Sequence, residues 1–216
     1  MPLLENLLAC PVDGSALHPE GDEWVSQTGR RYPTIQGIPV LFRPDTSDTL
    51  GAMAQSRALA ARDASDDPDP WCIDALGLYE EQKQPLLEAL RRGGHAVDPV
   101  VAQMIAATCG NLYSHLVGRL PRYPIPNFRL KNGAGRVLVD LGCNWGRWSM
   151  AAAKEGFSVI GVDPQIGAVL AARRVAQQLG INAHFICADA RHLPIRDGVA
   201  DVIFSYSVIQ HLSRED

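Results

Sequence analysis

Residues 137–147 read Val-Leu-Val-Asp-Leu-Gly-Cys-Asn-Trp-Gly-Arg, and no other stretch restricts the fold of this chain as tightly. The apolar run has the length of a short buried strand, Asp140 stands at its tip, and Gly142 and Gly146 break it into a turn. The pattern predicts a helix opening at Trp145. A strand, a glycine turn and a helix in that order begin a parallel α/β unit. Such units bind small ligands at the carboxyl ends of their strands, where turn N–H groups and an acidic side chain converge.

The same turn narrows the ligand. A dinucleotide site asks for G-x-G-x-x-G, so that the backbone can approach a pyrophosphate. Here Asn144 stands in the place of the middle glycine, and Asp140 precedes the first glycine by two residues. A carboxylate at the strand tip repels a pyrophosphate and suits an ammonium group. S-adenosyl-L-methionine carries such an ammonium, with a carboxylate of its own for the N–H groups of the turn. The alternative is a generic α/β turn without a ligand.

The next seventy residues favour the ligand. Residues 157–163 form a second apolar strand that ends in Asp163, 23 residues after Asp140. That matches the spacing of about 20 at which an acid meets ribose hydroxyls, and two carboxylate oxygens can accept from both hydroxyls. Residues 166–179 have helical periodicity and are closed by Gly180. Residues 182–189 form a third strand ending in Asp189, suited to accept from an adenine amine, and residues 200–206 form a fourth.

Four motifs occur in order: Asp-Leu-Gly-Cys-Asn-Trp-Gly from 140, Gly-Val-Asp-Pro from 161, Ala-Asp-Ala-Arg-His-Leu-Pro from 188, and Asp-Val-Ile-Phe-Ser-Tyr-Ser-Val-Ile-Gln-His-Leu from 201. With them, residues 134–214 resemble the cofactor half of the class I S-adenosylmethionine-dependent methyltransferases. The resemblance implies a Rossmann-like α/β sheet with S-adenosyl-L-methionine as cofactor. It implies cofactor contacts at Asp140, Gly142, Asn144, Gly146, Asp163, Asp189, Ala190 and Ser205: Gly142 and Gly146 at the methionine moiety, Asp163 at the ribose, Asp189 at the adenine. The family usually has glycine where this chain has Asn144. The loop after the fourth strand opens where the methyl group should point, which makes His211 the candidate base and Tyr206 a candidate for orienting the acceptor. The family sheet has seven strands and only four are legible here, so the chain reads as a truncated piece of a longer enzyme, with a natural short form as the alternative.

Residues 1–43 read as a separate unit of short strands and turns. They resemble the zinc-ribbon activator domain found beside, or fused to, several methyltransferases. Tetrahedral zinc needs two Cys-x-x-Cys pairs, but the positions here are Cys10, Asp13, Val25 and Thr28. The expectation is a ribbon without metal, held by Trp24, Tyr32, Ile35, Ile38, Val40 and Leu41. Residues 44–132 read as a linker and a helical lid over the acceptor pocket, with helices at 50–62 and 85–92 and a longer one capped by Asp98-Pro99. That last helix carries Val101, Met104, Ile105, Thr108, Leu112 and Leu116 on one stripe. Tyr79, Tyr113 and His115 are candidates for substrate contact.

Composition fits a protein with a sizeable core: 46% hydrophobic, 20% charged, net charge −4. No apolar run approaches the ~20 residues of a membrane span. No signal peptide is apparent at the start, and five cysteines without framework spacing read as reduced thiols in a cytoplasm. Sulfonium chemistry needs no thiol nucleophile, so Cys143 reads as a small turn-filling residue. Arg119, Arg122, Arg129, Lys131 and Arg136 form a basic stretch, but the acidic chain favours a small-molecule methyl acceptor over nucleic acid. Three rival readings are a non-catalytic partner or activator subunit, an RNA-base methyltransferase and a nucleotide-dependent oxidoreductase.

Overall fold

Parallel strands with both faces covered must be largely apolar, and the runs at 137–141, 158–163 and 183–188 behave in this way, whereas the edge run at 202–205 leaves Ile203 60% exposed. The computed structural model describes residues 2–48, 51–61, 73, 78–107, 115 and 119–212. Val137–Leu141, Ser158–Asp163, Ala183–Ala188 and Val202–Ser205 form parallel strands close to their predicted positions. Four antiparallel strands precede them: β1 (Leu17–Glu20), β2 (Glu23–Ser26), β3 (Arg31–Ile35) and β4 (Ile38–Leu41). The parallel strands are therefore β5 to β8.

The expected four-stranded sheet is corrected by the structure. All eight strands form one sheet in the order β1-β2-β3-β4-β7-β6-β5-β8. The join is a parallel pairing of β4 with β7, Val40 opposite Cys187 and Leu41 opposite Ala188. The physical reason lies in β4, whose residues are all buried; such a run needs a neighbour on each side and cover on both faces.

The N-terminal segment is fastened at a second place. Ala9 N–H donates to the Pro194 carbonyl at 3.0 Å, Arg196 N–H donates to the Leu7 carbonyl at 2.8 Å, and Leu8 forms a bridge with Ile195. One buried cluster holds Leu4, Leu7 and Leu8, some of them from α1 (Pro2–Leu7), together with Val139, Ile160, Val162 and Ile186 of the parallel strands. The six N-terminal side chains expected inside are all buried.

At the positions corresponding to ribbon ligands, Thr28 Oγ1 donates to Asp13 Oδ2 at 2.6 Å, and Asp13 Oδ1 accepts from Ser15 N–H and Oγ at 3.0 and 2.6 Å. Cys10 Sγ lies 3.1 Å from the Tyr32 hydroxyl. Hydrogen bonds therefore link the two turns.

Among the helices, α2 (Ala52–Ala60) lies inside its expected range. Helix α3 (Glu80–Arg92) starts five residues before the expected Pro85, because Gln82 Oε1 accepts Tyr79 N–H at 3.1 Å and Glu80 and Glu81 suit the positive helix end. Helix α4 (Pro99–Ala107) opens as predicted, with Asp98 Oδ1 accepting from Val100 and Val101 N–H at 2.9 and 3.3 Å. Thr108, Leu112, Tyr113 and Leu116 lie outside the described residues. Helix α5 (Arg147–Lys154) starts two residues after Trp145, and α6 (Ile166–Gln178) ends just before its expected stop. Of the basic stretch, Lys131 pairs with Glu155 at 2.5 Å and Arg136 lies over the Phe157 ring. Among the described residues no helix is long and apolar enough to cross a membrane, and no group of three or more His, Cys, Asp or Glu side chains is placed to hold a metal.

Candidate active site

The turn after β5 is held by its own donors. Gly142 and Cys143 N–H both donate to the Val162 carbonyl at 2.7 and 3.0 Å. Asn144 N–H donates to Asp163 Oδ2 at 2.9 Å, Trp145 N–H to Asn144 Oδ1 at 2.7 Å, and Gly146 N–H to the Cys143 carbonyl at 2.9 Å. From sequence alone these donors are expected to face a ligand carboxylate. In the structure the first three splice the turn onto β6 and the last two close the turn on itself, a requirement that apolar periodicity does not reveal.

Asn144 suits its place in the turn for a visible reason. Its φ is 50°, in the left-handed region that asparagine tolerates better than other non-glycine residues. Gly142, at φ 65°, is required on two counts, since a Cβ there would come within 2.2 Å of Val208 Cγ2.

Asp140 sits beneath the turn. It is 1% exposed, and its Oδ2 accepts from the Ser149 hydroxyl at 2.6 Å in the first turns of α5. Burial, reinforced by the nearby Asp163 charge, pushes its carboxyl up to about 7. It seals the base of the turn and does not line the cavity above. Gly146 likewise serves packing, because a Cβ on it would lie 3.0 Å from that of Ala172 in α6. Cys143 is buried with its thiol raised well above the ordinary range by burial, as a filler would be.

Above the strand tips lies a cavity of about 390 Å³, in the range of small-molecule sites. Of the predicted residues, Gly142, Asn144, Asp163, Asp189, Ala190 and His211 line it. Asp163 is the centre of its wall. Its Oδ1 accepts Gln165 N–H and its Oδ2 accepts Asn144 N–H, both at 2.9 Å, which leaves a lone pair on each oxygen. Burial raises its carboxyl to about 6. Asp189 is in the wall, but its carboxylate is paired with Arg191 at 2.7 Å.

Ser205 and Tyr206 do not line the cavity. Ser205 ends β8 opposite Leu141, and the Tyr206 ring packs 5.1 Å from Trp148 beneath the Arg147 guanidinium. Ser207, which follows, has a φ of 59° and itself lines the cavity. Val208 and His211 then fall on the cavity side.

One wall was not foreseen residue by residue. Gly51, Ala52, Met53 and Gln55, at the start of α2, close the cavity from the side. Asp48 fixes this helix end by accepting Met53 and Ala54 N–H at 3.0 and 2.7 Å. The fully buried Ser56 then pins α2 to the β6–α6 turn, donating to the Pro164 carbonyl at 2.7 Å and accepting Ile166 N–H at 2.9 Å. The sequence signal was Asp48 ahead of an alanine-rich run. Tyr79 is 75% exposed and His115 is exposed, and neither is in the cavity wall.

The arrangement offers an acceptor pair for two vicinal hydroxyls beside a glycine turn, with an imidazole on the far wall. Residues 138–216 match the methyltransferase domain family. The matched segment contains the turn, both wall carboxylates and His211. Over 80 residues the chain is 29% identical to a ubiquinone biosynthesis O-methyltransferase of Nitrobacter winogradskyi, covering 37% of this chain and 30% of that protein. It is 24% identical over 141 residues to one of Azorhizobium caulinodans, covering 65% and 50%. The chain thus spans half or less of these curated relatives. Among solved structures, the magnesium protoporphyrin IX methyltransferase of Synechocystis PCC 6803 with bound SAM is 28% identical, over 39% of this chain and 40% of that one, at a TM-score of 0.36.

Proposed function

We propose that the chain is the cofactor-binding part of an S-adenosylmethionine-dependent methyltransferase whose acceptor is a small molecule. The observation that carries this reading is the Asp163 carboxylate: it faces the cavity with one lone pair free on each oxygen, held in place by two backbone donors. The family match of residues 138–216 and the names of the curated relatives support it.

The residues present fit the cofactor. Asp163 would hold the ribose hydroxyls, the wall at Asp189 and Ala190 would take the purine, and Gly142, Asn144 and Ser207 would border the amino-acid end. When bound, this cofactor supplies a methyl group already activated on a sulfonium. The chain's own task is alignment and exclusion of water. Val208 and α2 cover the cavity from two sides, and His211 stands where it can take a proton from an acceptor hydroxyl, the group methylated by enzymes with the relatives' names. A dinucleotide fits less well, since Asn144 stands where a pyrophosphate needs the close backbone approach of a glycine.

Residues 1–43 would serve as a metal-free ribbon fused to the sheet, an arrangement supported by the antiparallel β1–β4 meander and the Thr28–Asp13 bond. Titration calorimetry with S-adenosylhomocysteine tests the whole reading: one site of saturable binding is expected, and binding of NAD in its place would refute it.

A further inference from the structure

The Asp189 carboxylate is engaged by its neighbour Arg191. Arg191 reaches back to it with three N–H groups: backbone N to Oδ1 at 3.0 Å, Nε to Oδ1 and Oδ2 at 3.1 and 3.0 Å, and Nη2 to Oδ2 at 2.7 Å. The two side chains are only 7% and 8% exposed. Arg191 Nη2 also donates to the Ser47 carbonyl at 2.7 Å and touches Met53 Sδ at 3.9 Å. A carboxylate offers about four lone-pair sites, and a forked guanidinium with a backbone N–H occupies most of them while matching the charge. Ser47 and Met53 hold the guanidinium from the opposite side, so it cannot swing off Asp189 without breaking its bonds to the segment leading into α2.

We propose that Arg191 is a positioning residue that withdraws the Asp189 carboxylate from the ligand, so that the purine amine of the cofactor is not read by Asp189. The purine is then gripped by shape and by the backbone of residues 188–190. This rests on the methyl-donor reading above. It also makes the purine end of the cavity depend on the 43–48 connector, through Ser47.

The test measures a ratio. Calorimetry gives the dissociation constants of S-adenosylhomocysteine and of its analogue with the purine amine replaced by hydrogen, for the full chain and for Asp189→Asn, Arg191→Ala and Arg191→Lys. The preference for the amine should stay within ~2-fold of the parent in Asp189→Asn. It should rise ~10-fold in Arg191→Ala, and also in Arg191→Lys, where a single ammonium cannot fork both oxygens, because a freed carboxylate gains a charge-assisted bond. A preference that falls ~5-fold or more in Asp189→Asn, or that fails to rise in both Arg191 variants, overturns the proposal. Failure of the parent chain to bind S-adenosylhomocysteine at all is a different result, which removes the methyl-donor reading itself and this proposal with it.

Discussion

Asp163, at the tip of β6, accepts the backbone N–H of Asn144 across the turn that follows β5, at 2.9 Å. One carboxylate thus fixes the turn and faces the cavity, so a change at either residue alters both the backbone and the site.

At Asn144 the left-handed backbone sets the tolerance. Asn144→Gly should be nearly neutral in stability. Asn144→Val should cost about 1–3 kcal/mol, from the φ of 50° and from loss of the bond to Trp145 N–H. Urea unfolding measures both, and an unchanged midpoint for the valine variant would contradict the assignment.

Gly142 and Val208 should be energetically coupled. A Cβ at 142 would lie 2.2 Å from Val208 Cγ2, so Gly142→Ala should destabilise by about 1–3 kcal/mol. Adding Val208→Ala should return part of that loss, with a coupling above ~0.5 kcal/mol in a double-mutant cycle. Simple additivity would mean that the loop does not rest on the turn.

Stability should fall as pH rises through the mildly acidic range. In the unfolded chain Asp140 ionises near pH 4, whereas burial keeps it protonated in the fold up to about 7, and Asp163 up to about 6. Between these limits the folded state holds more protons, so the stabilisation present below about pH 4 is lost on going to about pH 7. Melting temperatures across that range should decline, and Asp140→Asn, still able to accept from Ser149, should flatten the curve. A parent curve already flat would remove the case for a buried neutral Asp140.

The β4–β7 join should matter to the whole chain. Leu41 is 0% exposed and packs in the cluster that holds Ile160, Val162 and Ile186. Leu41→Ala should therefore cost about 2–5 kcal/mol in a single unfolding transition. A separate early transition, with the parallel strands unaffected, would show that β1–β4 is only loosely attached.

What could be read beforehand followed the range of each interaction. The parallel strands and Asp163 were legible because a buried run and its terminal acid are contiguous. So was the Asp98 cap, whose donors lie two and three residues away. The pairing of Val40 with Cys187 was not legible, because it joins positions far apart in sequence and leaves no periodic trace. Asp140 and Gly146 have the residue types of ligand contacts, yet they are used by Ser149 and Ala172. His211, the candidate base, lines the cavity and Tyr206, the candidate for orienting the acceptor, does not; the positive φ of Ser207 between them is a backbone choice that serine does not announce.

The central claim is that Asp163 holds the two sugar hydroxyls of a methyl-donor cofactor. Calorimetric titration of S-adenosylhomocysteine into the parent chain and into Asp163→Asn tests it most directly. The account predicts one site in the parent and an affinity ~10- to 100-fold weaker in the variant, the scale of losing hydrogen bonds to a charged group. Equal affinities for the two proteins would contradict it.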